Sequence, residues 1–362
     1  MKILKTILAL ISPFFLLASC SHDDGDGGIV PEIQLLSRLD FPETMAEIWG
    51  YVDNTGKEYA LIGFGLFTDP PQAGVYIVDV SDPRNPVQAA KVTDAAGFDV
   101  KVWRNFMYSV NGRGSGLGGI VDISDPRHPQ LVGSFPSSHT IFIADNGYLY
   151  SEFPGLRIFN LNPDPTNPAL VWSDSTTGGH AAAVVGNRLY DFHGSAATHI
   201  YDVSNPSQPR LLGSIDPPFI RYHHSGWPSE NGRFLFICDE GASHPDDDIT
   251  VWDISDVANP EFVGGYKDST AIVHNLIIVG NYAYVAYYNS GFRVFDVSDP
   301  RKFKLVDEFD TNADSGEFFN GAYGAYPFTP SDNIYVSDMG NGLHVFSFNK
   351  ESGKSVNYIT AP

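Results

Sequence analysis

One short phrase is written seven times in this chain, and it limits the fold more than any other feature. From Phe292 it reads FRVFDVSDPRKFKLVDEF: an alternating run of aromatic and β-branched residues, a Ser-Asp-Pro turn, then a second run. Alternation with a period of two marks a half-buried strand, and the proline stands where no ladder N–H is needed. Copies begin at Gly74 (GVYIVDVSDPRNP), Gly118, Leu156, His199 and Ile249, with a truncated one, LHVFSF, at Leu343. The position held by Asp79, Asp122, Asn160, Asp202, Asp253, Asp296 and Ser347 returns at intervals of 38 to 51 residues. All-β units of that length cannot bury both of their faces alone, but neighbours stacked around a ring can. The repeat therefore predicts an all-β fold, a seven-bladed β-propeller, built as one domain over residues 31–350.

The ends of the chain say how such a ring closes. The segment IQLLSRLDF, residues 33–41, matches the last strand of a unit (LVGSF, LLGSI, LVDEF). The seventh unit has no such strand after LHVFSF, only a polar tail, residues 351–362. The N-terminal strand is thus expected to complete the last blade, which removes an exposed sheet edge. A ring closed this way is complete as a monomer.

Ahead of it, MKILKTILALISPFFLLASC has two lysines, an apolar run and Leu-Ala-Ser-Cys, the pattern of a secretory signal over residues 1–19. The ending resembles the lipobox of bacterial lipoproteins, which implies lipidation at Cys20. The acidic, glycine-rich SHDDGDGG that follows is too polar to pack and reads as a tether over residues 20–30. Acidic residues at that place resemble the surface-export signal of Bacteroidetes lipoproteins, so the expected location is the outer membrane, facing outward. The lipid would be the only membrane contact. The only other cysteine, Cys238, is left without a disulfide partner. A net charge of −21 repels nucleic acid and anionic headgroups, so neither is expected as a partner.

Chemistry-bearing residues also follow the repeat. Aligning the inner strands on the turn before the second strand brings Trp49, Phe98, His139, His180, His224, His274 and Tyr323 to one position. In a propeller the start of the inner strand faces the central channel, so four successive histidines are expected on its rim. A second set falls where each second strand ends: Asn111, Glu152, His193, Asp239 with Glu240, Asn289 and Asp338. Those loops emerge on the same face, whereas the Ser-Asp-Pro turns emerge on the opposite one. Imidazoles and carboxylates are the ligand set of zinc, manganese or iron. His139, His180, His224 and His274 are therefore candidate ligands of a divalent transition metal, with Glu152, His193, Asp239, Glu240 and Asp338 as the ligand rim. The bland alternative is that duplication copied histidines that only hydrogen-bond to neighbouring blades.

Other patterns carry less. Ser225 adjoins His223 and His224, but successive strand residues point apart, so no triad is implied. No nucleophile elbow, phosphate-binding loop or HExxH helix is present. The aspartates of HPDDDIT, residues 244–250, lack the spacing of a calcium loop and read as a solvated turn.

The repeats IVDVSDP, IVDISDP and VFDVSDP resemble the LVIVD repeat. The ordered phrases WGYVDNTGKEYALIG, HHSGWPSENGRFLFICDE and VHNLIIVGNYAYVAYYNSGFRVFDVSDP are similar to those of the choice-of-anchor B family, over about residues 44–348. That resemblance implies a secreted surface protein held by some anchor, here a lipid, and it brings no catalytic residues. The His-Asn pair at His274-Asn275 is His-Ala at His180-Ala181. The reading that results is a non-catalytic binding or scaffold module for a glycan, peptide or surface protein. The alternative is a metal-dependent lyase or hydrolase of extracellular polysaccharide, with Glu152, Asp239 or Glu240 as ligand or general base.

Overall fold

The computed structural model describes residues 32–175, 179–216, 220–241, 247–313 and 319–350. The signal, Cys20, the tether and the C-terminal tail lie outside them. The described strands form seven antiparallel four-stranded sheets, each made of consecutive strands except the one that closes the ring. Blade 1 contains Met45–Val52, Glu58–Phe64, Gly74–Asp79 and Val87–Val92, and blades 2 to 6 follow in chain order to Phe309. Blade 7 takes Ala322–Tyr326, Asn333–Asp338 and Gly342–Asn349, with Glu32–Leu39 as its outer strand. Register runs from Glu32 opposite Asn349 to Leu39 opposite Leu343. The chain is a seven-bladed propeller closed by its own N-terminal strand.

The repeated phrase is legible as local physics. In each of blades 1 to 6 the third and fourth strands slip register two residues before the repeated Asp or Asn, as at Ile77/Val78 and Val294/Phe295. A bulge there increases the twist that lets neighbouring blades fan around an axis. The repeated side chain then accepts the amide two residues on: Asp79 from Ser81, Asp122 from Ser124, Asp296 from Ser298. The aspartate of the Ser-Asp-Pro turn does the same again, Asp82 from Arg84 and Asp125 from Arg127. Two Asx turns in succession reverse the chain without leaving amides unsatisfied. Blade 7 has Ser347 there because its strand runs straight on to pair with the N-terminal segment.

Burial follows strand order within a blade. Second strands such as Phe234–Asp239 are buried along their whole length, whereas outer strands such as Gln130–Pro136 are mostly exposed. The core therefore lies between blades, as where Phe142, Tyr150 and Ile158 of blade 3 meet Leu189 and Tyr201 of blade 4.

Asp253 joins two blades as well as capping its turn. Asp253 is 7% exposed and holds Arg233 at 2.8 Å and Arg301, from the next blade, at 3.0 Å. Asp253→Ala breaks both ion pairs and is expected to cost about 1 kcal/mol more than Asp122→Ala, whose carboxylate serves only Ser124 and Asn105. Urea midpoints of the two variants check this; equal shifts would remove the inter-blade role.

Candidate functional site: a histidine-lined channel mouth

Six aromatic rings close around the channel. Phe98, His139, His180, His224, His274 and Tyr323 follow one another with centroid separations of 4.8, 4.4, 4.4, 4.4 and 4.2 Å, and Tyr323 meets Phe98 at 6.3 Å. Blade 1 departs from the sequence alignment. Register slips between Met45 and Ile48, so Ala46 takes the ring place beside Phe98 and Tyr323, and Trp49 falls deeper. There Trp49, Phe142, Trp227 and Phe328 form a second closed ring, at 5.8 to 6.5 Å between neighbours. This lower ring is the floor of the channel.

Between the rings lies a cavity of about 90 Å³ lined by Glu47, Asp99, Lys101 and Asn275 among others. Lys101 Nζ sits 2.5 Å from Asp99 and 4.7 Å above the Trp49 ring. Asn275 donates to Glu47 at 2.7 Å. Burial, followed by the charges of Lys101 and Asp99, leaves the Glu47 carboxyl raised to about 7. A raised folded value stabilises below the unfolded one, near 4.5, and that contribution is lost as pH climbs through 7. Glu47→Gln is therefore expected to gain on wild type by about 3 kcal/mol between pH 5 and 8. Parallel melting curves across that range test it; a gap independent of pH would contradict the buried-carboxyl account.

Each rim histidine is tied at one nitrogen. Nδ1 of His139 contacts the Gly112 carbonyl at 2.7 Å, His180 that of His224 at 3.3 Å, His224 that of His274 at 2.9 Å, and His274 that of Tyr323 at 2.5 Å. A carbonyl only accepts, so Nδ1 carries the proton and Nε2 keeps its lone pair. These bonds cross between blades, which makes the ring a set of structural stitches as well. Burial, reinforced by neighbouring imidazoles, depresses His180 far below the ordinary value and His224 and His274 to about 3. All three are neutral imidazoles, the form that binds metal.

Glu240 stands over them. One carboxylate oxygen lies 3.5 Å from His224 Nε2 and the other 3.9 Å from His274 Nε2. Ligand atoms of His180, His224 and Glu240 all fall within 4.8 Å of one another. Burial raises the Glu240 carboxyl, and its one short hydrogen bond comes from Tyr288 Oη at 2.7 Å. Lone pairs facing a carboxylate repel unless a proton or cation lies between them. The set His180, His224 and Glu240, with His274 beside it, suits a divalent transition metal and leaves a side open to the mouth.

The remaining sequence candidates separate. His139 joins the ring beside His180, but its other ring contacts are Phe67, Phe98 and Phe153. Asp239 saturates its oxygens on the amides of Arg221, Tyr222 and Gly241, and so positions Glu240 without facing the channel. Asp338 is spent likewise on Thr311, Gly340 and Asn341. Glu152 and His193 lie away from the mouth, between blades 3 and 4. His223 points apart from His224, to Thr198 Oγ1 at 2.7 Å, as strand geometry requires. Residues 244–246 of the expected solvated turn lie outside the described residues, but at Asp248 that expectation is corrected: it is 4% exposed and accepts from the Asp268 amide and Tyr287 Oη.

Sequence reasoning missed the collar outside the histidines. Phe67, Phe153 and Phe319 are 49%, 45% and 50% exposed, and they contact His139 or Tyr288. Tyr222 stacks edge-on against His180 at 5.2 Å. Phe67 and Phe153 have left-handed backbones, at φ 56 and 54, which costs energy for bulky residues. Their common position, just past a second strand, was the available signal.

The fold and this mouth define a seven-bladed propeller whose channel is floored at one end and ringed by histidine at the other. The chain carries LVIVD repeats: five segments, residues 71–94, 98–136, 183–217, 231–268 and 272–311, match the LVIVD repeat. No protein of curated function matches it in sequence. Among solved structures it is similar to the β-propeller domain of Cps50 (Swd1) from Myceliophteria thermophila, at 10% identity and a TM-score of 0.63, covering 87% of this chain and 99% of that one. The WD40 propeller domain of Doa1 is similar at 11% identity and a TM-score of 0.60, covering 87% and 97%. Both likenesses are of fold.

Proposed function

We propose that this protein is a surface-tethered lipoprotein whose propeller is a non-catalytic binding module, with the channel mouth as its site. A divalent transition metal held by His180, His224 and Glu240 would be the polar anchor, and the phenylalanine collar the apolar contact for an extracellular glycan, peptide or surface protein. The observation that carries this reading is the convergence of neutral Nε2 atoms and a half-buried carboxylate beside exposed aromatic rings. Mostly apolar surroundings with a few convergent polar groups are the usual make-up of a ligand site.

Zinc is the probe. The full chain is expected to melt higher with zinc than with chelator, and His180→Ala/Glu240→Gln to narrow that difference. An unchanged response in the double variant would sink the rim as the metal site. The tether is tested separately: Cys20→Ala should move the protein from the detergent phase to the aqueous phase with its melting curve intact. Retention in detergent would refute lipid anchoring. Among the described residues no helix is long and apolar enough to cross a membrane.

One observation favours a second reading. Glu240 combines a raised carboxyl with a tyrosine hydrogen bond beside the metal-ligand set, as a general base would. Metal-dependent cleavage of polysaccharide at the same mouth would be seen as new reducing ends or unsaturated products, abolished in Glu240→Gln.

A further inference from the structure

We propose that Glu152, Asp191, His193 and His199 form a second, enclosed site for a divalent metal of the zinc class, which fastens blade 3 to blade 4. It is separate from the channel mouth and stands on different residues. Asp191 is the last residue but one of the second strand of blade 4 and lies directly opposite His199 on the third strand. His193, two residues further on, falls on the same side, with its ring 4.4 Å from that of His199. Ligand atoms of these three residues lie within 4.8 Å of one another. Glu152 enters from blade 3. A Cβ added at Gly179 would meet Glu152 Oε2 at 2.0 Å and Asp191 Oδ1 at 2.7 Å, so the two carboxylates converge on one point. Only glycine leaves them that approach.

The polar atoms here are buried and unpartnered. Glu152 and Asp191 are both 0% exposed. Neither oxygen of Glu152 has a hydrogen bond, nor has Asp191 Oδ1 or His199 Nδ1. The one link inside the cluster is His193 Nε2 to Asp191 Oδ2 at 2.6 Å. Arg157, a nearby cation, directs its Nη2 to the Ser137 carbonyl and Ser151 Oγ instead. Two buried carboxylates held in no salt bridge to a cation cost several kcal/mol as a general rule, and each unsatisfied atom adds to that. A dication bound by two carboxylates and two imidazoles forms a neutral unit that satisfies the set. Nitrogen donors and a total of four ligands suit zinc; calcium and magnesium take six or more oxygens. With Glu152 drawn in beside these three, all four positions would be filled by protein, which makes the site structural where the mouth is open. On binding, any proton held on the carboxyl pair leaves for solvent.

The test uses the full chain with the mouth removed, His180→Ala/His224→Ala/Glu240→Gln, dialysed against zinc. About one equivalent of zinc should remain bound, and the melting temperature should rise with zinc. Adding His193→Gln and His199→Gln should weaken binding at least about tenfold and abolish the rise. Should the mouth variant not fold, the same pair of glutamines in the otherwise native chain should lower zinc content by one equivalent. The proposal is overturned if the mouth variant holds no zinc, for then the two carboxyls share protons alone. It is equally overturned if the glutamine pair leaves zinc content unchanged in either background.

Discussion

Removing residues 32–43 is expected to destabilise all seven blades together, with the melting temperature falling by about 10 °C or more. The segment supplies the outer strand of blade 7, paired from Glu32 to Leu39. Ile33 is buried among Phe292, Val294 and Phe346, and Leu36, Leu39 and Phe41 pack beside Met45 and Tyr76. Four side chains largely withdrawn from water contribute roughly 5 kcal/mol, a large part of the 5–15 kcal/mol typical of a whole domain. The loss also bares the edge of Gly342–Asn349 and opens the ring at one seam, so it is not confined to blade 7. A single cooperative transition shifted downward is the expected curve. An unchanged midpoint would mean that the ring closes through blade 7 and blade 1 without this strand.

His224→Ala carries the second large effect, because one side chain serves both the scaffold and the mouth. Its ring is 4% exposed and lies between His180 and His274, 4.4 Å from each. Ser225 Oγ still reaches the His274 carbonyl at 2.7 Å, so the variant orphans no acceptor there. The metal-free cost is therefore expected near 2 kcal/mol, that of a cavity and one lost hydrogen bond. With zinc at a hundredfold excess over its dissociation constant, wild type gains about 2.7 kcal/mol that the variant cannot. The gap between the two proteins should thus roughly double on adding zinc and shrink again with chelator. A gap that ignores zinc would leave His224 as a stitch only.

Most of the fold was legible because the repeat writes it locally. Period-two runs set the strands, Asp79 and its copies set the turns, and the unpaired segment at residues 33–41 set the closure. The histidine ring was legible for the same reason, since equal places in successive blades must face one channel. Trp49 was misplaced because a bulge at Ala46 and Glu47 leaves no mark in composition; it shifts register without changing the hydrophobic pattern. Glu152 and His193 were grouped with the mouth because they share its position along the strands. Which side of a blade a loop residue leans towards depends on inter-blade packing, and that placed them with Asp191 and His199 instead. Glu240 could be told from Asp239 only by seeing which of two adjacent carboxylates the backbone amides consume.

The channel mouth as a metal-anchored binding site can be tested most directly by anomalous diffraction at the zinc absorption edge, from crystals of the protein grown with zinc. A peak within bonding distance of His180 Nε2, His224 Nε2 and the Glu240 carboxylate is the expected result. Peaks confined to surface groups such as His128 and Asp125, which lie 2.9 Å apart and exposed, with none at the mouth, would contradict it.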